Sequence, residues 1–115
     1  LYAEALHVNT SYITAVANDY GYEETYARMV QAAGREEDIL FGISTSGNSP
    51  NVVRALQKAN EIGMISIGFT GKNGGKMSDI CNKIIKVPSD DTPRIQEAHI
   101  LIGHIICQLI EEELF

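Results

Sequence analysis

"FGISTSGNSPNVVRAL" (residues 41–56) sets the reading of the chain. An apolar, β-prone run, "DILFGIS" (38–44), passes straight into a loop of hydroxyls and then into a helix. "SPNVVRALQKANEIG" (49–63) predicts that helix, with Ser49 as N-cap, Pro50 in the first turn and Gly63 as the stop. The first N–H groups of a helix have no internal partner and carry about +0.5 charge, which suits a phosphate. Gly47 lets the backbone approach a ligand closely. Ser44, Thr45, Ser46 and Ser49 add neutral donors. The loop contains no lysine, so it would hold a phosphomonoester through hydrogen bonds alone. A plain turn with an N-cap accounts for Asn48, Ser49 and Pro50. It leaves Ser44, Thr45 and Ser46, placed directly after an apolar strand, without a reason.

Outward from this loop, strands and helices alternate. "EALHVN" (4–9) reads as a short strand, and "SYITAVAND" (11–19) as a helix capped by Thr10 or Ser11. "YEETYARMVQAAG" (22–34) carries Tyr26, Met29, Val30 and Ala33 at helical spacing, with Gly34 as its stop. The continuous apolar character of "DILFGIS" marks a strand covered on both faces. "MISIGFT" (64–70) and "NKIIKVP" (82–88) are further strands. "GKNGGKMSDI" (71–80) is a loop with a short helix, and "PRIQEAHILIGHIICQLIEEELF" (93–115) is a long helix. This order predicts an α/β fold, a three-layer αβα sandwich around a parallel sheet, of Rossmann-like type. Ligands in such folds sit beyond the carboxyl ends of the strands, here the loops after residues 9, 44, 70 and 88.

A chain of 115 residues is one domain. A net charge of −6 argues against nucleic acid or acidic membranes as the main partner. Cys81 and Cys107 lack metal-type spacing, and an intracellular, cytoplasmic, reduced protein is the simpler reading. The longest apolar run, "AHILIGHIICQLI" (98–110), is too short for a span and holds two histidines. "GKNGGK" (71–76) has the wrong spacing for a P-loop and reads as a glycine-rich turn. His104 sits in an apolar run, as an acid/base group or as a core histidine with a satisfied partner. His99 faces solvent or a neighbouring subunit, and His7 has no assigned role. Asp19 precedes a Tyr-Gly-Tyr turn and reads, on the residues alone, as an Asx-type turn or cap. Asp90 and Asp91 read as the cap and loop of the last helix. That helix is apolar around most of its circumference from 98 to 110, so it is buried in its own domain or against another subunit.

"GISTSGNSPNV", "TGKNGGKM", "VPSDDTPRIQEAHILIGH" and "ANDYGY" together resemble the sugar isomerase (SIS) domain, and within it the phosphoheptose isomerases. The resemblance runs from about Ala5 onward. It implies conversion of sedoheptulose 7-phosphate to glycero-manno-heptose 7-phosphate, toward bacterial lipopolysaccharide, by a homotetramer with active sites at subunit contacts. It implies that Ser44, Thr45, Ser46 and Ser49 hold the phosphate and that Asn18 and Asp19 contact the sugar. It further implies that Gln96 touches substrate and a zinc ion, and that His104 is a zinc-site and acid/base residue. Gln96 and His104 lie about 12 Å apart along an ideal helix, so zinc rests on the resemblance alone. Family members also carry an earlier "CGNGGS"-like loop and a helix with a histidine and a glutamate. Nothing here matches those, so residues 1–115 are expected to be an SIS domain incomplete at the N-terminus. Two other readings stand beside the enzyme. One is a non-catalytic SIS protein that binds the replication initiator DnaA, which resembles this chain but has arginine in place of Ser46 and asparagine in place of His104. The other is a sugar-phosphate-sensing domain.

Overall fold

The computed structural model describes residues 1–115. Its elements are α1 (Thr10–Tyr20), a 3₁₀ turn (Tyr22–Glu24), α2 (Thr25–Ala33), β1 (Ile39–Ile43), α3 (Pro50–Ile62), β2 (Ile65–Thr70), α4 (Met77–Ile80), β3 (Lys83–Lys86) and α5 (Thr92–Leu114). The three strands form one parallel sheet in the order β1-β2-β3, with Phe41 level with Ile67 and Phe69 level with Ile85. The expected α/β class and parallel sheet are present.

Residues 4–9 form no strand. Backbone that pairs with no neighbouring strand gains no ladder bonds, and here local bonds take its place. The Val8 amide donates to the Ala5 carbonyl, closing a turn. The Asn9 side chain accepts from the Tyr12 amide at 3.0 Å, so Asn9 caps α1 in place of Thr10 or Ser11. The helix expected over 22–34 is split, with its first residues wound as the 3₁₀ turn.

One face of the sheet packs on α3, with α2 behind it. Val30 of α2, Ala55 and Ala59 of α3, and Met64 make one buried cluster; Val53, Leu56 and Met77 make another. Gly42 of β1 is there so that Leu56 can seat against the sheet: a Cβ on Gly42 would lie 2.8 Å from a Leu56 methyl. The opposite face is covered only in part. α5 lays Ile95 and His99 over β2, and the His99 ring lies 5.6 Å from Phe69. Ile39, Phe41 and Ile43 remain 55%, 43% and 56% exposed. The expectation that β1 is covered on both faces is therefore corrected within this chain. Apolar side chains on both faces mark a strand suited to burial on both, but the cover itself must come from another element. α5 is likewise not buried in its own domain: Ile100, Leu101, Ile105 and Leu109 are exposed.

The solvent or subunit face expected for His99 is also corrected, and of the two readings of His104 the core histidine is not the one the fold shows. His99 is the core histidine, 4% exposed, and its Nε2–H donates to the Thr70 carbonyl at 3.0 Å. His104 is exposed. Ile95 and His99 share a helix face at i, i+4, whereas five residues rotate His104 by roughly 140° from His99.

Leu56 is fully buried where α3 meets β1 and α4. Leu56→Ala is expected to lower unfolding free energy by about 2–5 kcal/mol, read from urea melts with an unchanged m-value.

Candidate functional site

β1, β2 and β3 run parallel, so the loops that follow them gather at one end of the sheet. They enclose a cleft of about 300 Å³ lined by Thr45 and Ser46 after β1, Lys72 and Asn73 after β2, and Ser89 and Asp90 after β3. Ile95 is its single apolar wall.

The hydroxyl loop is held in shape from inside. Ser44, 6% exposed, places its Oγ 2.8 Å from the Ser49 Oγ and 3.4 Å from the Ser46 Oγ. The Ser49 amide also points at the Ser44 Oγ, at 3.4 Å. Ser49 occupies the N-cap position of α3, but its hydroxyl makes no cap bond. Ser44 can donate to Ser49 and leave the Ser49 proton free. The Ser46 Oγ accepts from the Asn48 amide at 3.1 Å, which leaves the Ser46 proton free too. The amides of Thr45, Ser46 and Asn51 carry no hydrogen bond within the chain. Free amides and hydroxyl protons at a helix N-terminus form a neutral, donor-rich surface that suits an anion.

The loop is also held from outside, by the glycine-rich segment 71–76. The Gly71 amide donates to the Thr45 carbonyl at 2.8 Å, and the Met77 amide to the Gly47 carbonyl at 3.1 Å. The Asn48 side chain bridges the two loops: its Oδ1 accepts from the Lys76 amide at 2.9 Å, and its Nδ2 donates to the Ser46 carbonyl at 3.2 Å. Backbones this close leave no room for side chains. Gly47 has φ +68°, and a Cβ there would sit 2.0 Å from the Gly74 carbonyl oxygen; one on Gly75 would sit 2.5 Å from the Ser46 carbonyl oxygen. "GKNGGK" is thus a buttress for the hydroxyl loop as well as a turn. The motif shows glycines in its sequence, but only the fold shows what they touch.

The remaining sequence-derived site residues lie elsewhere. Asn18 and Asp19 are exposed in the last turn of α1, where Asn18 Nδ2 donates to Asp19 Oδ1 at 2.9 Å. Asp19 is therefore within the helix and not its cap; Gly21 ends the helix at φ +98°. Gln96 and His104 are exposed on α5 and do not line the cleft. They stand roughly 80° apart around the helix and about 12 Å apart along it. No group of three or more His, Cys, Asp or Glu side chains in the chain is placed to hold a metal ion. Gln96 and His104 do not by themselves compose a zinc site. Asp91 is the N-cap residue of α5 without a side-chain cap bond, whereas Asp90 turns to Lys72, with Nζ 3.4 Å from Oδ2. Arg54, farther along α3, is held by Glu24 at 2.9 Å, and that carboxylate raises its pKa.

The family model described as the SIS domain matches residues 1–71. The chain is 57% identical over 111 residues to a phosphoheptose isomerase of Aneurinibacillus thermoaerophilus, covering 96% of this chain and 56% of that protein. It is 59% identical over 111 residues to phosphoheptose isomerase 2 of Campylobacter jejuni, covering 96% of this chain and 55% of that protein. The structure of phosphoheptose isomerase GmhA from Neisseria gonorrhoeae superposes with a TM-score of 0.95 at 44% identity, covering 97% of this chain and 62% of that one. The chain spans just over half the length of the curated relatives it matches.

Gly47→Ala must relieve a backbone clash and adopt a left-handed φ. It is expected to destabilise the fold by more than about 1 kcal/mol in chemical melts.

Proposed function

The chain belongs to the SIS-domain family, and from that premise we propose that it carries the phosphate-anchoring part of a phosphoheptose isomerase. The observation that carries this reading is the 50–59% identity to phosphoheptose isomerases over nearly the whole chain. The cleft is its physical counterpart. The substrate would be sedoheptulose 7-phosphate, and the product an aldose phosphate on the route to heptose-containing surface glycans.

Aldose–ketose isomerisation moves a proton between neighbouring carbons through an enediol. The protein must hold the substrate, take and return a proton, and stabilise the oxyanion that develops. In this reading Ser44, Thr45, Ser46 and Ser49, with the free amides of their loop, hold the phosphate dianion. Thr45 and Ser46 line the cleft, while Ser44 orders Ser49 through the 2.8 Å contact. Asn18 and Asp19 would bind the sugar hydroxyls and His104 would move the proton. Within this chain those three residues lie outside the cleft, so they would serve a site completed by additional protein. Zinc would likewise need ligands beyond Gln96 and His104, and no step is assigned to it.

Self-association into a homotetramer fits the same reading. Leu101, Ile105 and Leu109 on α5, and Phe41 on the sheet, are large apolar side chains left exposed. No helix is long and apolar enough to cross a membrane. A cytoplasmic location accords with the phosphorylated substrate.

The test is turnover of sedoheptulose 7-phosphate by the purified complete protein. His104→Asn is expected to lower kcat at least about 100-fold with little change in KM. Ser46→Ala and Ser49→Ala are expected to raise KM by about ten- to a hundredfold, the cost of one hydrogen bond to a charged group. A wild-type rate equal to the uncatalysed one overturns the isomerase reading; an unaffected His104→Asn rate removes His104 from the chemistry.

A further inference from the structure

The hydroxyl loop has no cation of its own, and the chain carries a net charge of −6. The fold supplies one from a different loop. Lys72 is the only cationic residue lining the cleft, and Asp90 the only acidic one. The backbone of Lys72 is tied to both neighbouring loops. Its own amide donates to the Ser89 carbonyl at 3.2 Å, and the amide of Gly71 before it donates to the Thr45 carbonyl at 2.8 Å. Its ammonium meets Asp90 at 3.4 Å, beyond the about 2.7–2.9 Å of a good charge-assisted hydrogen bond. Both side chains are well exposed, at 61% and 69%, so this pair contributes little to stability and exchanges readily.

We propose that Lys72 is a specificity-determining residue that selects a dianionic phosphate at the hydroxyl loop, with Asp90 as the internal anion that holds it until the ligand arrives. The proposal rests on the reading of the cleft as the sugar-phosphate site. A phosphate dianion at Thr45 and Ser46 offers Lys72 two charges and three acceptor oxygens, against the single charge of Asp90. Asp90 in turn repels any anion that fails to engage the ammonium. The pair therefore favours phosphate esters over neutral sugars, while the hydroxyls and amides supply the shape of the site.

The experiment measures binding of sedoheptulose 7-phosphate and of unphosphorylated sedoheptulose to the complete protein by calorimetry, at low and high salt. Lys72→Gln is expected to weaken binding of the phosphate ester about three- to tenfold, a modest loss because the ammonium is solvated. It is also expected to flatten the salt dependence, to leave the neutral sugar unaffected, and to raise KM with kcat retained. Lys72→Arg should restore affinity to within about twofold. Asp90→Asn should tighten phosphate binding by freeing the ammonium. Equal affinity and salt dependence in Lys72→Gln and wild type overturn the proposal, as does weakening by Asp90→Asn to the same extent as by Lys72→Gln. If wild type binds the ester, Ser46→Ala weakens it and Lys72→Gln does not, only the role of Lys72 falls. If wild type binds no ester, the sugar-phosphate reading falls with it.

Discussion

The backbone contact between the hydroxyl loop and the glycine-rich loop after β2 is the constraint on which the site depends. Gly47 and Gly75 bring main chain against main chain at distances that a Cβ would forbid. That contact points the Thr45 and Gly47 carbonyls toward amides of the neighbouring loop. The Thr45 and Ser46 amides and the hydroxyl protons are then left for the cleft. A loop of serines without this support would satisfy its donors on itself or on water.

Local dipoles let an acidic protein present an anion site. Charge at a distance is screened within about 10 Å in ordinary salt, so a net charge of −6 weighs less at the cleft than the groups that touch it. Those groups are amides and hydroxyls at the start of α3, with one lysine and one carboxylate opposite. Arg54, farther along α3, is engaged by Glu24. The same economy appears on α5, where His99 ties the helix to the end of β2 through the Thr70 carbonyl. This bond joins the helix that carries Gln96 and His104 to the strand that carries the glycine-rich loop.

Much of the fold was legible. Apolar runs of strand length ended by turn residues located β1, β2 and β3, and Ser49, Pro50 and Gly63 bounded α3. The strand expected at 4–9 failed because strand propensity is realised only beside a partner. The burial of His99 was missed because His99 and His104 both sit among isoleucines and leucines, and only the rotation of the helix against β2 tells them apart. Of the site, Thr45 and Ser46 were found from the sequence. The loops after residues 70 and 88 were located as ligand loops, but Lys72, Ser89 and Asp90 were not singled out within them, since nothing local marks which of their side chains face the shared cleft.

What the sequence alone determined is short-range: which segments wind or extend, where α3 begins, and that its beginning is rich in donors. These follow from propensity and spacing within a few residues. Tertiary structure alone decided the neighbours. Asn48 meets Lys76 across 28 positions, and His99 meets Thr70 across 29. Parallel pairing of three strands carries their distant loops to one end of the sheet, and no local pattern encodes which of those loops touch.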